Sequence, residues 1–187
     1  MRRLVVAITG ASGSIYGVRA LELLAKVVDI ETHLIMSGPA KTTLTIETDW
    51  SVTDVEALAD HVHSSRDIAA SISSGSFRTA GMLVAPCSIK SLSAIANSLS
   101  ADLVSRAADV TLKERRPLVL MVRETPVHLG HLRLMQQVVE IGAVIFPPVP
   151  AFYNRPESLD DVVTHSVGRA LEHLGVDVDG FDRWHGG

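Results

Sequence analysis

The stretch Thr9-Gly10-Ala11-Ser12-Gly13-Ser14-Ile15-Tyr16-Gly17 joins an apolar run to a helical pattern. A glycine-rich turn at such a junction favours an anion, because backbone N–H groups and the helix dipole both point outward there. The spacing is G-x-x-G-x-x-x-G, not the G-x-G-x-x-G of the dinucleotide fingerprint, and a tight turn without a ligand is the competing reading. Two absences argue against a nicotinamide dehydrogenase. No acid closes the second apolar run, where Ser37 stands instead, and neither Tyr16 nor Tyr153 is followed four residues later by lysine. The turn suits a mononucleotide such as FMN.

Charged residues form a second constellation. In the block 106–116, Arg106, Asp109 and Lys113 are spaced to share one helical face. Taken alone this is a solvated face with an Asp109–Lys113 pair. The apolar run that follows ends at Arg123-Glu124, which delivers a phosphate-gripping guanidinium and a potential proton relay to the same place. Tyr153, within Ala151-Phe152-Tyr153-Asn154-Arg155-Pro156, and Arg169 could form a phosphate clamp, although each by itself reads as a surface or packing residue.

Eight histidines invite a metal reading. His61/His63 and His128/His131 are the close pairs, but neither has a Cys or carboxylate set at ligand spacing, so solvated or capping roles and no metal are expected. Cys87 is the single cysteine, follows an apolar run and has no histidine placed to activate it. The G-x-S-x-G of a serine hydrolase does not occur.

Four short apolar runs position these residues. Arg3–Thr9 runs into the glycine turn, Ile30–Met36 into Ser37-Gly38, Gly81–Pro86 into Cys87-Ser88, and Pro117–Val122 into Arg123-Glu124. Such runs read as strands buried on both faces of a parallel sheet, and open α/β sheets bind ligands beyond the carboxyl ends of their strands. Helices are expected over about 13–28, from Pro39, over Val52–His63 with Thr53 as cap, over 88–97, 101–114 and 129–141, and from Ser158 to about 174. The prolines of 146–150 force an extended connection. This order predicts one doubly wound, Rossmann-like (flavodoxin-like) α/β domain spanning 1–187, with helices on both faces.

Composition agrees with that class. The chain has 187 residues, 47% of them hydrophobic and 20% charged, enough for one sizeable core. A net charge of −4 gives no basic field for nucleic acid. The apolar run after Met1-Arg2-Arg3 stops at Thr9-Gly10, too short for a signal peptide, and no run approaches a membrane span. With one cysteine, a cytoplasmic location is expected.

Thr-Gly-Ala-Ser-Gly at 9–13, Glu47-Thr48-Asp49, Ser73-Ser74-Gly75-Ser76-Phe77, Pro86-Cys87-Ser88, the 106–124 block and Ala151-Phe152-Tyr153 occur in one order. That series resembles the flavin prenyltransferases, formerly described as phenylacrylic acid or polyprenyl-hydroxybenzoate decarboxylases, and especially members encoded beside hydroxyaryl acid decarboxylases. The likeness runs nearly the whole chain, to Arg183-Trp184. It implies a metal-independent transferase that joins a dimethylallyl group from dimethylallyl phosphate to N5 and C6 of reduced FMN. The product would serve a separate decarboxylase.

By match to the family's motifs, Gly10, Ala11, Ser12, Ser37, Ser88, Ile89, Lys90, Ser91 and Arg123 would bind FMN. Arg106, Lys113, Arg123, Glu124, Tyr153 and Arg169 would surround the prenyl phosphate. Glu124, Ser12 and Lys113 are the catalytic candidates, Glu124 as proton relay and Ser12 near flavin N5, with Trp184 as a wall for the carbocation. The resemblance also implies a homododecamer with sites at subunit contacts, and a segment at about 175–187 that packs on the site or on a neighbour. Two departures stand out: Val122 replaces the family's frequent proline before Arg-Glu, and Arg133 replaces a common glutamate. The alternatives are an FMN-dependent cysteine decarboxylase, whose histidine base and asparagine-rich clamp are missing here, and a non-catalytic flavin carrier or accessory subunit.

Overall fold

In a computed structural model, which describes residues 1–181 and 183, the apolar runs form the middle of a six-stranded parallel sheet. The chain order is β1 (Arg2–Ile8), α1 (Ser14–Leu24), β2 (Ile30–Met36), α2 (Gly38–Glu47), α3 (Val52–Glu56) and β3 (His61–Ser64). A 3-10 turn at Ser71–Ser73 precedes β4 (Gly81–Cys87), α4 (Ile89–Ala96), α5 (Leu103–Lys113) and β5 (Leu118–Val122). Then come α6 (Leu129–Glu140), β6 (Val144–Ile145) and α7 (Leu159–Glu172). The spatial order of strands is 3-2-1-4-5-6, the doubly wound arrangement, with its switch point between β1 and β4.

Alternation along the strands divides the core in two. Leu4, Val6 and Ile8 of β1, with Leu83 and Val119, pack against α1, α2 and α7. Val5 and Ala7, with Met82, Val84, Leu118 and Leu120, pack against α4, α5 and α6. Every residue of β4 and β5 is buried, which is why these strands read as unbroken apolar runs rather than alternating ones. Val176 and Val178, after α7, add to the first layer.

Two strands lie where sequence reading put none. The expected helix over Val52–His63 stops at Glu56, and His61–Ser64 instead pairs in parallel with His33–Met36 as β3. Its cap is Ser51, whose Oγ accepts from Asp54 N, and not Thr53. The edge strand is only four residues long and half-exposed, so it carries no apolar signature. Two-residue β6 pairs Val119–Leu120 of β5 just ahead of the proline-rich connection.

Candidate functional site

Thr9 sits at the switch point and ties its two strands together. Its hydroxyl donates to Pro86 O at 2.7 Å and accepts from Ser88 N at 2.8 Å. Beyond it Gly13 takes φ +97°, a conformation open to glycine, and turns the chain into α1. Gly17 is needed for a different reason: a Cβ there would lie 2.5 Å from Ala85 O and 2.6 Å from Ile8 Cγ1, so only glycine lets α1 rest on the sheet. The glycine spacing noted in the sequence is thus a turn requirement plus a packing requirement.

Three helix amino termini face the carboxyl edge. Ser37 caps α2, its Oγ accepting from Ala40 N at 3.2 Å. Ser88 caps α4, its Oγ accepting from Ser91 N at 3.3 Å while donating to Ser91 Oγ. The α1 terminus has no side-chain cap of its own. Instead the Glu47 carboxylate, from the last residue of α2, accepts from Gly13 N at 2.7 Å and Ser14 N at 3.4 Å. The positive ends of the three helix dipoles therefore converge where an anion would bind.

Arg123 joins this edge through its N–H, which donates to Cys87 O at 3.1 Å. Its guanidinium is exposed and lies near enough to Tyr16, in the first turn of α1, to act on that phenol. Burial raises the Tyr16 pKa above the ordinary tyrosine value, and the positive charge of Arg123 partly opposes it. Glu124 is exposed beside it, its Oε1 accepting from Thr125 N at 3.1 Å. Gly10, Ala11, Ser12, Ser37, Ser88, Ile89, Lys90, Ser91, Arg123 and Glu124 thus all belong to loops and helix starts at one end of the sheet.

The remaining candidates lie on other segments of the chain. Arg106 donates to Ser73 O at 3.1 Å and to Asp109 Oδ2 at 3.0 Å. Lys113 pairs with Glu114, so the expected Asp109–Lys113 pair is replaced by these two. Lys113 ends α5 and the chain then enters β5 from its amino end, about 16 Å of strand below Arg123 at about 3.3 Å per residue. Tyr153 shares a hydrogen bond with His165 Nε2 at 3.0 Å, and Arg169 pairs with Glu172. Trp184 lies outside the described residues.

A concavity of about 920 Å³ lies away from the strand ends, between α1, the start of α7 and residues 177–180. Its Arg19 is already engaged by Asp160, Glu22 and Thr164, so it offers no comparable chemistry.

Residues 1–170 match the flavoprotein family model. The flavin prenyltransferase UbiX of Escherichia coli K12 is 63% identical over 100% of both chains. This chain belongs to the flavin prenyltransferases. Among solved structures, AnUbiX (PadA1) in complex with FMN and dimethylallyl pyrophosphate shares 52% identity and a TM-score of 0.96, over 99% of this chain and 98% of that one. A dodecameric FMN-dependent UbiX-like decarboxylase from E. coli O157:H7 shares 49% identity and a TM-score of 0.96, over 98% and 100%.

The chemistry of this prenyltransferase's crevice fits FMN. Converging helix termini, the Ser88–Ser91 hydroxyl pair and the Arg123 cation are donors matched to a phosphate. Ser14 Oγ, in the first turn of α1, is buried and has no partner among the described residues, so a polar group in the crevice would satisfy it. Cys87 takes no part as a nucleophile, because full burial pushes its thiol pKa up to about 12.

Sequence reasoning assigned no role to Thr9 or Glu47. Both stand in the ordered motif series, but their contacts are visible only once α2 meets α1 and β1 lies beside β4. The histidine expectation also changes. His128 does cap α6, its Nδ1 accepting from Gly130 N at 3.0 Å. His61 and His63 instead meet a carboxylate and a third histidine contributed by β2.

Proposed function

We propose that the chain joins the dimethylallyl group of dimethylallyl phosphate to N5 and C6 of reduced FMN and releases the prenylated flavin to a separate decarboxylase. The observation that carries this reading is Arg123-Glu124 just past the end of β5, a cation that acts on Tyr16 and an exposed carboxyl group next to it, beside the capped start of α4. Reduced FMN supplies an electron-rich ring that receives the allylic carbon.

The side chains divide the remaining work. Gly10, Ala11, Ser12, Ser37, Ser88, Ile89, Lys90, Ser91 and Arg123 hold the flavin. Allylic C–O cleavage leaves charge on the departing phosphate, and Arg123, Tyr153 and Arg169 stabilise it as preorganised donors. Glu124 passes a proton to that phosphate, and Ser12 assists proton movement near flavin N5.

Arg106 and Lys113 complete the phosphate pocket of a neighbouring copy. The position of Lys113 at the amino edge of its own sheet supports this reading, as does the dodecameric state of the E. coli O157:H7 relative. No described helix is long and apolar enough to cross a membrane.

The test is anaerobic incubation of purified protein with reduced FMN and dimethylallyl phosphate, followed by flavin mass analysis. A mass gain of one dimethylallyl unit that requires the protein is the expected result. Tightly bound but unmodified FMN, with active donor verified, would overturn it in favour of a carrier.

A further inference from the structure

The edge formed by β2 and β3 carries a cluster that prenyl transfer does not use. Glu31 and His33 are two residues apart on β2, and His61 and His63 two apart on β3, so all four share one face of the sheet. The register sets His33 directly beside His61, with rings stacked at 4.7 Å between centroids. Glu31 Oε1 lies 3.1 Å from His33 Nε2 and 3.2 Å from His61 Nε2. The other nitrogen of His33 lies 2.9 Å from His63 Nε2.

We infer that Glu31, His33 and His61 form a site for a divalent transition-metal ion of the zinc class, with His63 holding the His33 ring in place. One ligand atom from each of the three lies within 4.8 Å of the others. Tetrahedral zinc with bonds of about 2.05 Å keeps its ligands about 3.3 Å apart, so the two observed separations are nearly those of a formed site. Two imidazoles and one carboxylate suit zinc or its neighbours in the first transition row, whereas calcium and magnesium prefer oxygen throughout.

The His63 contact is what a ligating histidine needs behind it. When His33 Nδ1 donates its proton to His63 Nε2, the bare lone pair of Nε2 faces a carboxylate oxygen, and a cation between them turns repulsion into coordination. With the opposite tautomers, His63 donates to His33 and His33 to Glu31, an ordinary hydrogen-bond chain without an ion. Arg3 Nε, 3.4 Å from Glu31 Oε1, competes for that oxygen and weakens binding; its guanidinium also stacks on Phe77. His33 is 3% exposed and fixed, while the His61 side chain is 53% exposed, with room to aim Nε2 at the shared point and leave a fourth position for water. The ion would fasten β3, which pairs only with β2, at the edge of the sheet.

The experiment is a zinc titration of the chelator-stripped, FMN-loaded protein against a chromophoric competitor, with cobalt(II) absorption and thermal melting as further readouts. One zinc per chain, a higher melting temperature and a tetrahedral cobalt spectrum are expected. His61→Ala, at an exposed position, should fold and hold FMN but lose zinc affinity at least about 100-fold, and His63→Ala about 10- to 100-fold. Glu31→Gln should abolish the cobalt spectrum. No zinc binding, or equal binding by His61→Ala, would overturn the proposal and leave the hydrogen-bond chain.

Discussion

The carboxylate of Glu47 lies 2.7 Å from the backbone nitrogen of Gly13, across the gap between the end of α2 and the start of α1. An anion thus already occupies part of the terminus that the glycine turn opens, and it is supplied by the chain itself. The α2 and α4 termini and Arg123 remain open to an added anion, such as the flavin phosphate of the proposed function. Removing the charge with Glu47→Gln should cost about 0.5–1 kcal/mol through the α1 dipole. That loss should lower the melting temperature by about 1–4 °C for a domain of this size. Urea or thermal unfolding of the variant checks it, and an unchanged midpoint would remove Glu47 as the surrogate cap.

Gly17 makes a separate prediction, about packing. The Cβ of Gly17→Ala would collide with Ala85 O, a backbone atom, and with Ile8. Helix α1 must lift from the sheet, at a cost of about 1–3 kcal/mol for such overpacking. Because the same helix presents Tyr16, flavin affinity should fall along with stability. Flavin fluorescence titration beside urea unfolding reads both, and a variant as stable as the parent would mean the interface relaxes freely.

Glu124 is exposed at the crevice mouth and holds up no core residue. Glu124→Gln should therefore keep the stability and FMN affinity of the parent. Prenyl transfer should slow by about 10²–10⁴-fold if the carboxyl group moves a proton to the leaving phosphate. Single-turnover flavin mass analysis measures the rate, and parent-like turnover would remove Glu124 from the mechanism.

His165 couples the Tyr153 loop to pH. Burial first, and then the Arg169 charge, hold its pKa below the usual histidine value, with Glu172 opposing. Tyr153 and the edge of the Phe181 ring complete its surroundings. The unfolded chain therefore takes up a proton near pH 6.5, before the folded chain does. The stability contribution is fully present above about pH 6.5 and is lost as pH falls toward and through the lower folded value. His165→Gln should flatten this fall between about pH 7 and 5. Urea midpoints across that range test it, while His33 and His63, also lowered by burial, remain in both proteins and cancel in the comparison.

Much of the architecture could be read in advance because β1, β2, β4 and β5 are buried nearly throughout and spell their burial as apolar runs. The loops at their carboxyl ends followed from chain order alone, so the neighbourhood of Ser12, Ser37, Ser88 and Arg123 was legible. Strand β3 was not, because His61–Ser64 is short, polar and half-exposed, and it is a strand only by pairing with β2. Residue types and order determined the class of fold and the edge of the sheet that gathers the glycine turn, the capping serines and Arg123. Tertiary structure decided the contacts between distant segments: Glu47 on Gly13, Tyr16 opposite Arg123, Lys113 away from its own crevice, and Glu31 beside three histidines. The physical reason is that a buried strand carries its environment in its own composition. A contact between side chains from separate elements depends instead on register and on the direction each side chain takes, which no local spacing encodes.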